Sequence, residues 1–279
     1  MSWAMRGLGW LLALGLSACT GLSQAPNAPS ASSLPPVVSL VVTDQARQAL
    51  APTGSLRVGV YPGSPTSLVQ NASGQRAGVA LELGQFMGQQ LGVPVQVVEF
   101  SRVAEIIDAI QRGQVDMTFT NASPARARLV TFTRPLVQLE LGLLLPANSA
   151  VTRFAQIDRA GVRVGVSQGS SSQAALGQQL KLAQVVPVAS LDVAQKMLRD
   201  GQLDAFATNK GILFEMREKL PDFKVSDDRW GLENLAIAVP QGREAGQAFL
   251  AALADEVTRS GRLAAMAERA GLRGLAKPE

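Results

Sequence analysis

Residues 114–133, Gln-Val-Asp-Met-Thr-Phe-Thr-Asn-Ala-Ser-Pro-Ala-Arg-Ala-Arg-Leu-Val-Thr-Phe-Thr, carry the clearest chemistry in this chain. Residues 115–119 are rich in β-formers and read as a buried strand. Ser123 is a good N-cap and Pro124 a good first helical residue, so a short helix follows. Arg126 and Arg128 then fall in or near its first turn, where cations oppose the helix dipole at a cost of about a few tenths of a kcal/mol. An anion at the helix start removes that conflict. Free backbone N–H groups, the dipole and a guanidinium fork together suit a carboxylate. The other reading is a solvated arginine on a surface turn. A second stretch, Ser167-Gln-Gly-Ser-Ser-Ser172, is a Gly/Ser loop opening a helix. It is either a second anion or hydroxyl site or a simple capped turn.

Composition limits the alternatives. The chain has 279 residues, 47% of them hydrophobic, enough for one large core or two smaller ones. It has no histidine, and its only cysteine is Cys19. That excludes Ser-His-Asp and Cys-His catalysis, zinc sites built on His or Cys, and an internal disulfide. No metal or cofactor is expected. The net charge of +4 is mild and its basic residues are scattered, so no nucleic-acid partner is expected.

Residues 1–19 read as a signal peptide. One cation, Arg6, precedes an apolar run through Leu16 that is too short to span a bilayer. The run ends Leu16-Ser17-Ala18-Cys19, which resembles the bacterial lipobox and implies lipidation of Cys19. Lipid chains would hold the protein on a membrane surface from the periplasmic side. Thr20 leans toward the outer membrane, and inner or outer is left open. Residues 20–53 read as a flexible tether. Of these, 20–36 are mostly Ser, Ala, Pro and Asn with no charge, and 37–53 leave room for a short strand and a short helix.

The elements that position the candidate residues show as a repeat. Arg57-Val-Gly-Val60 recurs as Arg163-Val-Gly-Val166, and Gly113-Gln-Val-Asp116 recurs as Gly201-Gln-Leu-Asp204. Each pair brackets strand, loop, helix, strand, helix, strand. Apolar spacing predicts helices over 79–91, 103–110, 171–182 and 191–200, with strands over 93–100 and 185–188 between them. Alternating strands and helices imply mainly parallel sheets covered by helices, hence two α/β lobes. Ligands in such sheets bind beyond the carboxyl ends of the strands. The loops holding Tyr61, Phe100, Thr118 to Arg126, Ser167 to Ser172 and Asn209 would then line one cleft. Apolar runs at 135–145 and 235–240 read as paired crossover strands forming a hinge. Helices after Gly242 carry Phe249, Leu250, Leu253 and Val257 on one face and should pack back on the first lobe. The lobes divide as 54–140 with 231–279, and 141–230.

Together these features resemble the bacterial extracellular solute-binding proteins of family 3, which serve amino-acid ABC importers. The resemblance runs from about residue 54 to about residue 271. It rests on Gly54-Ser-Leu-Arg-Val-Gly-Val60, Leu91-Gly-Val93, Gly113-Gln-Val-Asp116, Ser123-Pro-Ala-Arg126 with Phe132-Thr133 and Pro135, Val164-Gly-Val-Ser-Gln-Gly-Ser170 and Gly201-Gln-Leu-Asp-Ala205. It implies a two-lobed periplasmic-binding-protein-like clamp of type II, with an ABC permease as partner. Arg126 looks like the arginine that holds the ligand carboxylate, assisted by Asn121 and Thr118. Phe100 matches a ring packing on the ligand. Ser171 matches a carboxylate contact from the second lobe, and Ser167 lines the cleft.

Two departures follow. The family usually has an aspartate, the partner of the ligand ammonium, where Asn209 stands. Its Gly-Phe-Asp-Val-Asp-Leu block appears here as Gly78-Val-Ala-Leu-Glu-Leu83. Tyr61 stands where some members place a polar or acidic group. An amide at 209 suggests a carboxylate ligand that need not carry an amine, with Glu140 or Glu215 as a replacement charge. Asn209→Asp is then expected to raise affinity for amine-bearing ligands. The function implied is a lipid-anchored solute-binding protein, acting as a monomer without a catalytic step. A sensory or accessory lipoprotein is the alternative. A dehydratase on this scaffold, as in some relatives, is disfavoured because the Gly/Ser loop holds no acid and the chain no histidine.

Overall fold

The computed structural model describes residues 40–71 and 73–276. The signal, Cys19 and the tether before residue 40 lie outside the described residues. The first element is helix α1 (Asp44–Leu50), capped by the Thr43 hydroxyl, which accepts from the Ala46 N–H. Ala46 and Leu50 lie one turn apart and are buried in the first lobe's core. Arg47 Nε donates to the Leu91 carbonyl at 2.8 Å. The flexible tether expected over 20–53 therefore stops before this helix, because its cap and its i,i+4 apolar pair offset the ordering entropy. The short strand expected alongside it does not appear at 40–43.

The first lobe continues with β1 (Leu56–Val60), a small hairpin of β2 (Val69–Gln70) and β3 (Arg76–Ala77), α2 (Val79–Leu91), β4 (Val95–Glu99), α3 (Val103–Gln111), β5 (Thr118–Asn121), α4 (Pro124–Ala127) and β6 (Thr131–Phe132). The long strand β7 (Val137–Pro146) crosses to the second lobe, built from β8 (Arg163–Ser167), α5 (Ser171–Gln179), β9 (Gln184–Val188), α6 (Leu191–Arg199), β10 (Ala205–Asn209), α7 (Lys210–Lys219) and β11 (Phe223–Val225). Strand β12 (Gly231–Val239) returns to the first lobe, which α8 (Gln247–Arg259) and α9 (Arg262–Arg269) complete. Strands β1 and β4 pair in parallel, as do β10, β8 and β9. The crossover strands β7 and β12 pair antiparallel from Gly231 opposite Leu141 to Leu235 opposite Val137. Through them one curled sheet runs in the order β5-β12-β7-β10-β8-β9.

The strands read as apolar runs because both faces are covered. In β7, Leu144 faces the cluster of Phe206, Leu213 and Met216, while Leu143 and Leu145 face that of Val164, Val166 and Leu176. In the first lobe Val58, Leu83, Met87 and Phe119 form one core with Phe249, Leu253, Val257 and Met266, so the final helices do pack back. Helix α2 carries two interior glycines, each worth about 1 kcal/mol less than alanine for helix formation. A Cβ on Gly84 would meet Val58 Cγ2 at 2.4 Å, and one on Gly88 would meet Val95 Cγ2 at 2.3 Å. The glycines let the helix press onto β1 and β4.

The sequence repeat is a repeated ionic staple. Asp116 accepts from Arg57 N, Nε and Nη2 at 3.0, 2.8 and 2.8 Å. Asp204 accepts from Arg163 N, Nε and Nη2 at 2.7, 3.0 and 3.0 Å. In each lobe the arginine that starts one strand is locked to the aspartate that leads into another. Beyond those aspartates, β5 and β10 end at the cavity.

Candidate functional site

A cavity of about 30 Å³ lies where the carboxyl ends of the strands face each other, room for about two waters. The first lobe contributes Tyr61 and Thr66 after β1, Ser101 to Val103 after β4, Thr120 and Asn121 at the end of β5, and Arg126 from α4. The second contributes Ser167, the start of α5, Thr208 and Asn209. Strand β12 contributes Glu233 and Leu235.

Arg126 is 7% exposed. Its Nη1 donates to Thr120 Oγ1 at 2.8 Å, while its Nη2 is buried with no hydrogen-bond partner. A buried donor left unmade costs about 1–3 kcal/mol, so this atom marks where an acceptor belongs. Burial pushes the guanidinium below its usual range, and the nearby Glu233 and Tyr61 oppose that. Ser123 caps α4 as expected, accepting from the Arg126 N–H. The helix is a single turn, however, so its dipole adds little, and the anchoring falls to the side chain. Arg128 is exposed.

Glu233 lines the same cavity, near enough to Arg126 for their charges to act on each other, and was not foreseen. One carboxylate oxygen accepts from Ser171 Oγ at 3.1 Å and the other from Asn209 Nδ2 at 3.0 Å. Asn121 Nδ2 in turn donates to Ser171 Oγ at 3.1 Å, and Asn121 Oδ1 accepts from the Asn234 N–H at 3.1 Å. The network joins β5, α5, β10 and β12, and so both lobes. Burial pushes the Glu233 carboxyl above the usual carboxylate range, against the Asn209 hydrogen bond, the Arg126 charge and the Ser171 hydrogen bond. Strand periodicity was the available signal: Glu233, Leu235 and Ile237 share one face of β12 and all three are buried.

The structure thus brings Arg126, Asn121, Tyr61, Ser167, Ser171 and Asn209 to one cavity. It leaves two expected residues outside. Thr118 is buried and its hydroxyl donates to the Gly59 carbonyl at 2.8 Å, because β5 runs on to Asn121 before reaching the cavity. Phe100 packs on the cluster of Ile106, Ile107 and Val115. Tyr61 is the ring at the cavity, its hydroxyl donating to Ser64 Oγ at 3.3 Å. Neither suggested replacement acid lines the cavity. Glu140 pairs with Lys210 Nζ at 2.7 Å, and Glu215 lies in a surface groove beside Asn71 and Leu272. Glu82, the acid kept from the family's upstream block, ties α2 to Arg269 of α9 at 2.6 Å.

The geometry also reverses the expectation for position 209. Asn209 Oδ1 caps α7 by accepting from the Ile212 N–H at 3.1 Å, and its Nδ2 holds Glu233. An aspartate there would set two carboxyl groups side by side and remove a donor. Asn209→Asp should therefore lower stability at neutral pH by about 1–3 kcal/mol and weaken ligand binding. Melting curves with and without ligand check this.

A mainly α/β clamp of two lobes, with its polar cavity between them at the strand ends, is the architecture of a solute receptor. The profile of the Bacterial extracellular solute-binding proteins, family 3, matches residues 56–271, and the chain belongs to that family. Solved structures share the fold. A substrate-binding protein of an amino acid ABC transporter from Streptococcus pneumoniae, bound to L-arginine, superposes with TM-score 0.72 at 19% identity, covering 80% of this chain and 97% of that one. A solute receptor for L-cysteine from Neisseria gonorrhoeae gives 0.72 at 23% identity, covering 83% and 99%. An ancestral amino acid-binding protein, a precursor of cyclohexadienyl dehydratase, gives 0.69 at 23%, covering 80% and 97%.

Proposed function

We propose that the protein captures a small carboxylate-bearing solute, an amino acid or related organic acid, between its lobes and delivers it to an ABC permease. The observation that carries this reading is Arg126 Nη2, a buried cationic donor without a partner at the cavity wall. A solute carboxylate would accept from that atom, with Ser171 and Asn121 within the same network. The ligands named for the similar structures, L-arginine and L-cysteine, are amino acids and support the class. Lipidation at Cys19 would tether the receptor as a monomer in the periplasm. Among the described residues no helix is long and apolar enough to cross a membrane.

One observation favours a second reading. The Gly/Ser loop holds no acid and the chain no histidine, but Glu233 of β12 brings an acid to the cavity. A buried carboxyl with a raised pKa is a candidate general acid. Both its oxygens accept from neutral side chains, which suits a fixed acceptor better than a proton donor.

The test is a thermal-shift screen of the full chain against amino acids, keto acids, dicarboxylates and aromatic acids. A ligand at a hundredfold excess over its Kd stabilises by about 2.7 kcal/mol. That is a rise of roughly 5–10 °C in a chain this long. A rise with one carboxylate class is the expected result. Cooperative melting with no rise for any compound would refute solute capture and leave the sensory or accessory role.

A further inference from the structure

Two opposite charges are buried at the same cavity and held apart. Arg126 is fixed by Thr120 of β5, and Glu233 by Ser171 and Asn209 of the second lobe. Among the described residues no ion pair joins them. The donors on Glu233 are a hydroxyl and an amide. They orient the carboxylate but bring no charge; the Arg126 charge acts on it without a hydrogen bond, and a buried carboxylate lacking a directly paired cation is costly. Each carboxylate oxygen can accept about two hydrogen bonds, and each has accepted one. Arg126 Nη2, at the same cavity, still has protons to donate.

A solute bearing only a carboxylate would satisfy Arg126 and worsen the site. It would place a second negative charge beside Glu233 and leave that residue uncompensated. A solute bearing a carboxylate and an ammonium on the same carbon satisfies both ends at once. Its carboxylate accepts from Nη2, and its three N–H groups can reach the free acceptor capacity of Glu233.

We propose that Glu233 is the ammonium acceptor of this site, so that the solute is a zwitterionic amino acid rather than a hydroxy, keto or dicarboxylic acid. This rests on the reading of the cavity as a carboxylate site anchored by Arg126. It gives position 209 a purpose. The acid stands on the crossover strand β12 rather than at the end of β10, and Asn209 serves as its holder. The arrangement also couples recognition to lobe contact. The acid sits on the strand joining the lobes, its donors come from the second lobe, and Arg126 comes from the first.

The test is titration calorimetry on the full chain with amino acids, each paired with the 2-hydroxy acid of the same side chain, beginning with L-alanine against L-lactate. In the wild type at least one amino acid should bind roughly ten- to a hundredfold more tightly than its hydroxy partner, the worth of a charge-assisted hydrogen bond. Glu233→Gln should bring that ratio close to one while the hydroxy acid still binds through Arg126. Equal or tighter binding of the hydroxy acid by the wild type would overturn the assignment and leave the carboxylate site standing. So would an unchanged ratio in Glu233→Gln. The wild-type ratio needs no variant, so a variant that fails to fold does not rescue the proposal. Absence of binding by every pair would overturn both this assignment and the carboxylate site beneath it.

Discussion

Arg126→Ala should lose solute binding and keep its fold. The guanidinium is desolvated, bonded through Nη1 to one hydroxyl, and unpartnered at Nη2. Its removal therefore takes away little native hydrogen bonding. A ligand carboxylate would lose a charge-assisted contact in a site shielded from water, worth about 3 kcal/mol or roughly a hundredfold in affinity. The variant's melting temperature without ligand should stay within a few degrees of the parent's, and the ligand-induced rise should disappear. Arg126→Lys sharpens the test. It restores the charge as a single point donor without the planar fork, so binding should return only in part. Collapse of the fold in Arg126→Ala would instead make the residue structural.

Arg126 stood out in the sequence because two cations follow a Ser-Pro helix start, where an anion would suit them; the structure buries only Arg126 of the two. Helices α2, α3 and α6 were legible because their apolar residues recur at the helical period against a covered sheet. The crossover pair β7 and β12 was legible as apolar runs flanking the second half, although β12 begins four residues before the run that revealed it. What escaped depends on distant contacts. Strand periodicity could place Glu233 on the face of Leu235 and Ile237, but its partners Ser171 and Asn209 come from 62 and 24 residues away, which no local pattern shows. Helix α7 was missed because its N-cap is Asn209, a residue already given to the ligand. Thr118 was misplaced for a local reason: β5 starts and ends later than its β-formers suggest, which moves Thr120 and Asn121 to the cavity instead.

The two copies of the Gly-Gln-x-Asp motif look equivalent in sequence and should differ in energetic weight. The Asp116 side chain is fully buried, and it also lies 3.5 Å from Arg243 Nη2. Burial pushes the Arg243 guanidinium below its usual range, and the Asp116 charge opposes that. Asp116→Ala would leave two arginines facing each other with no anion and would strip the Arg57 N–H of its acceptor. Breaking a buried pair in this way costs about 3–5 kcal/mol. The expected fall in melting temperature is roughly 6–20 °C. Asp204 and Arg163 are about 40% exposed, 42% and 37% respectively, so water screens their attraction. Asp204→Ala should cost only about 1 kcal/mol despite a similar bond count. The Arg163 hydrogen bond holds the Asp204 carboxyl below its usual range, so its contribution is present at neutral pH. It is lost as the pH falls through that lowered value, and the gap between parent and Asp204→Ala should close in acid. Both staples stand behind strands that end at the site. Asp116 leads directly into β5, whose end carries Thr120 and Asn121, the residues that hold Arg126 and Ser171. Asp204 likewise leads into β10, whose end carries Asn209, the holder of Glu233, so both variants should weaken ligand affinity, Asp116→Ala the more because its structural penalty is larger. Equal losses in the two variants would mean that burial does not distinguish the two staples.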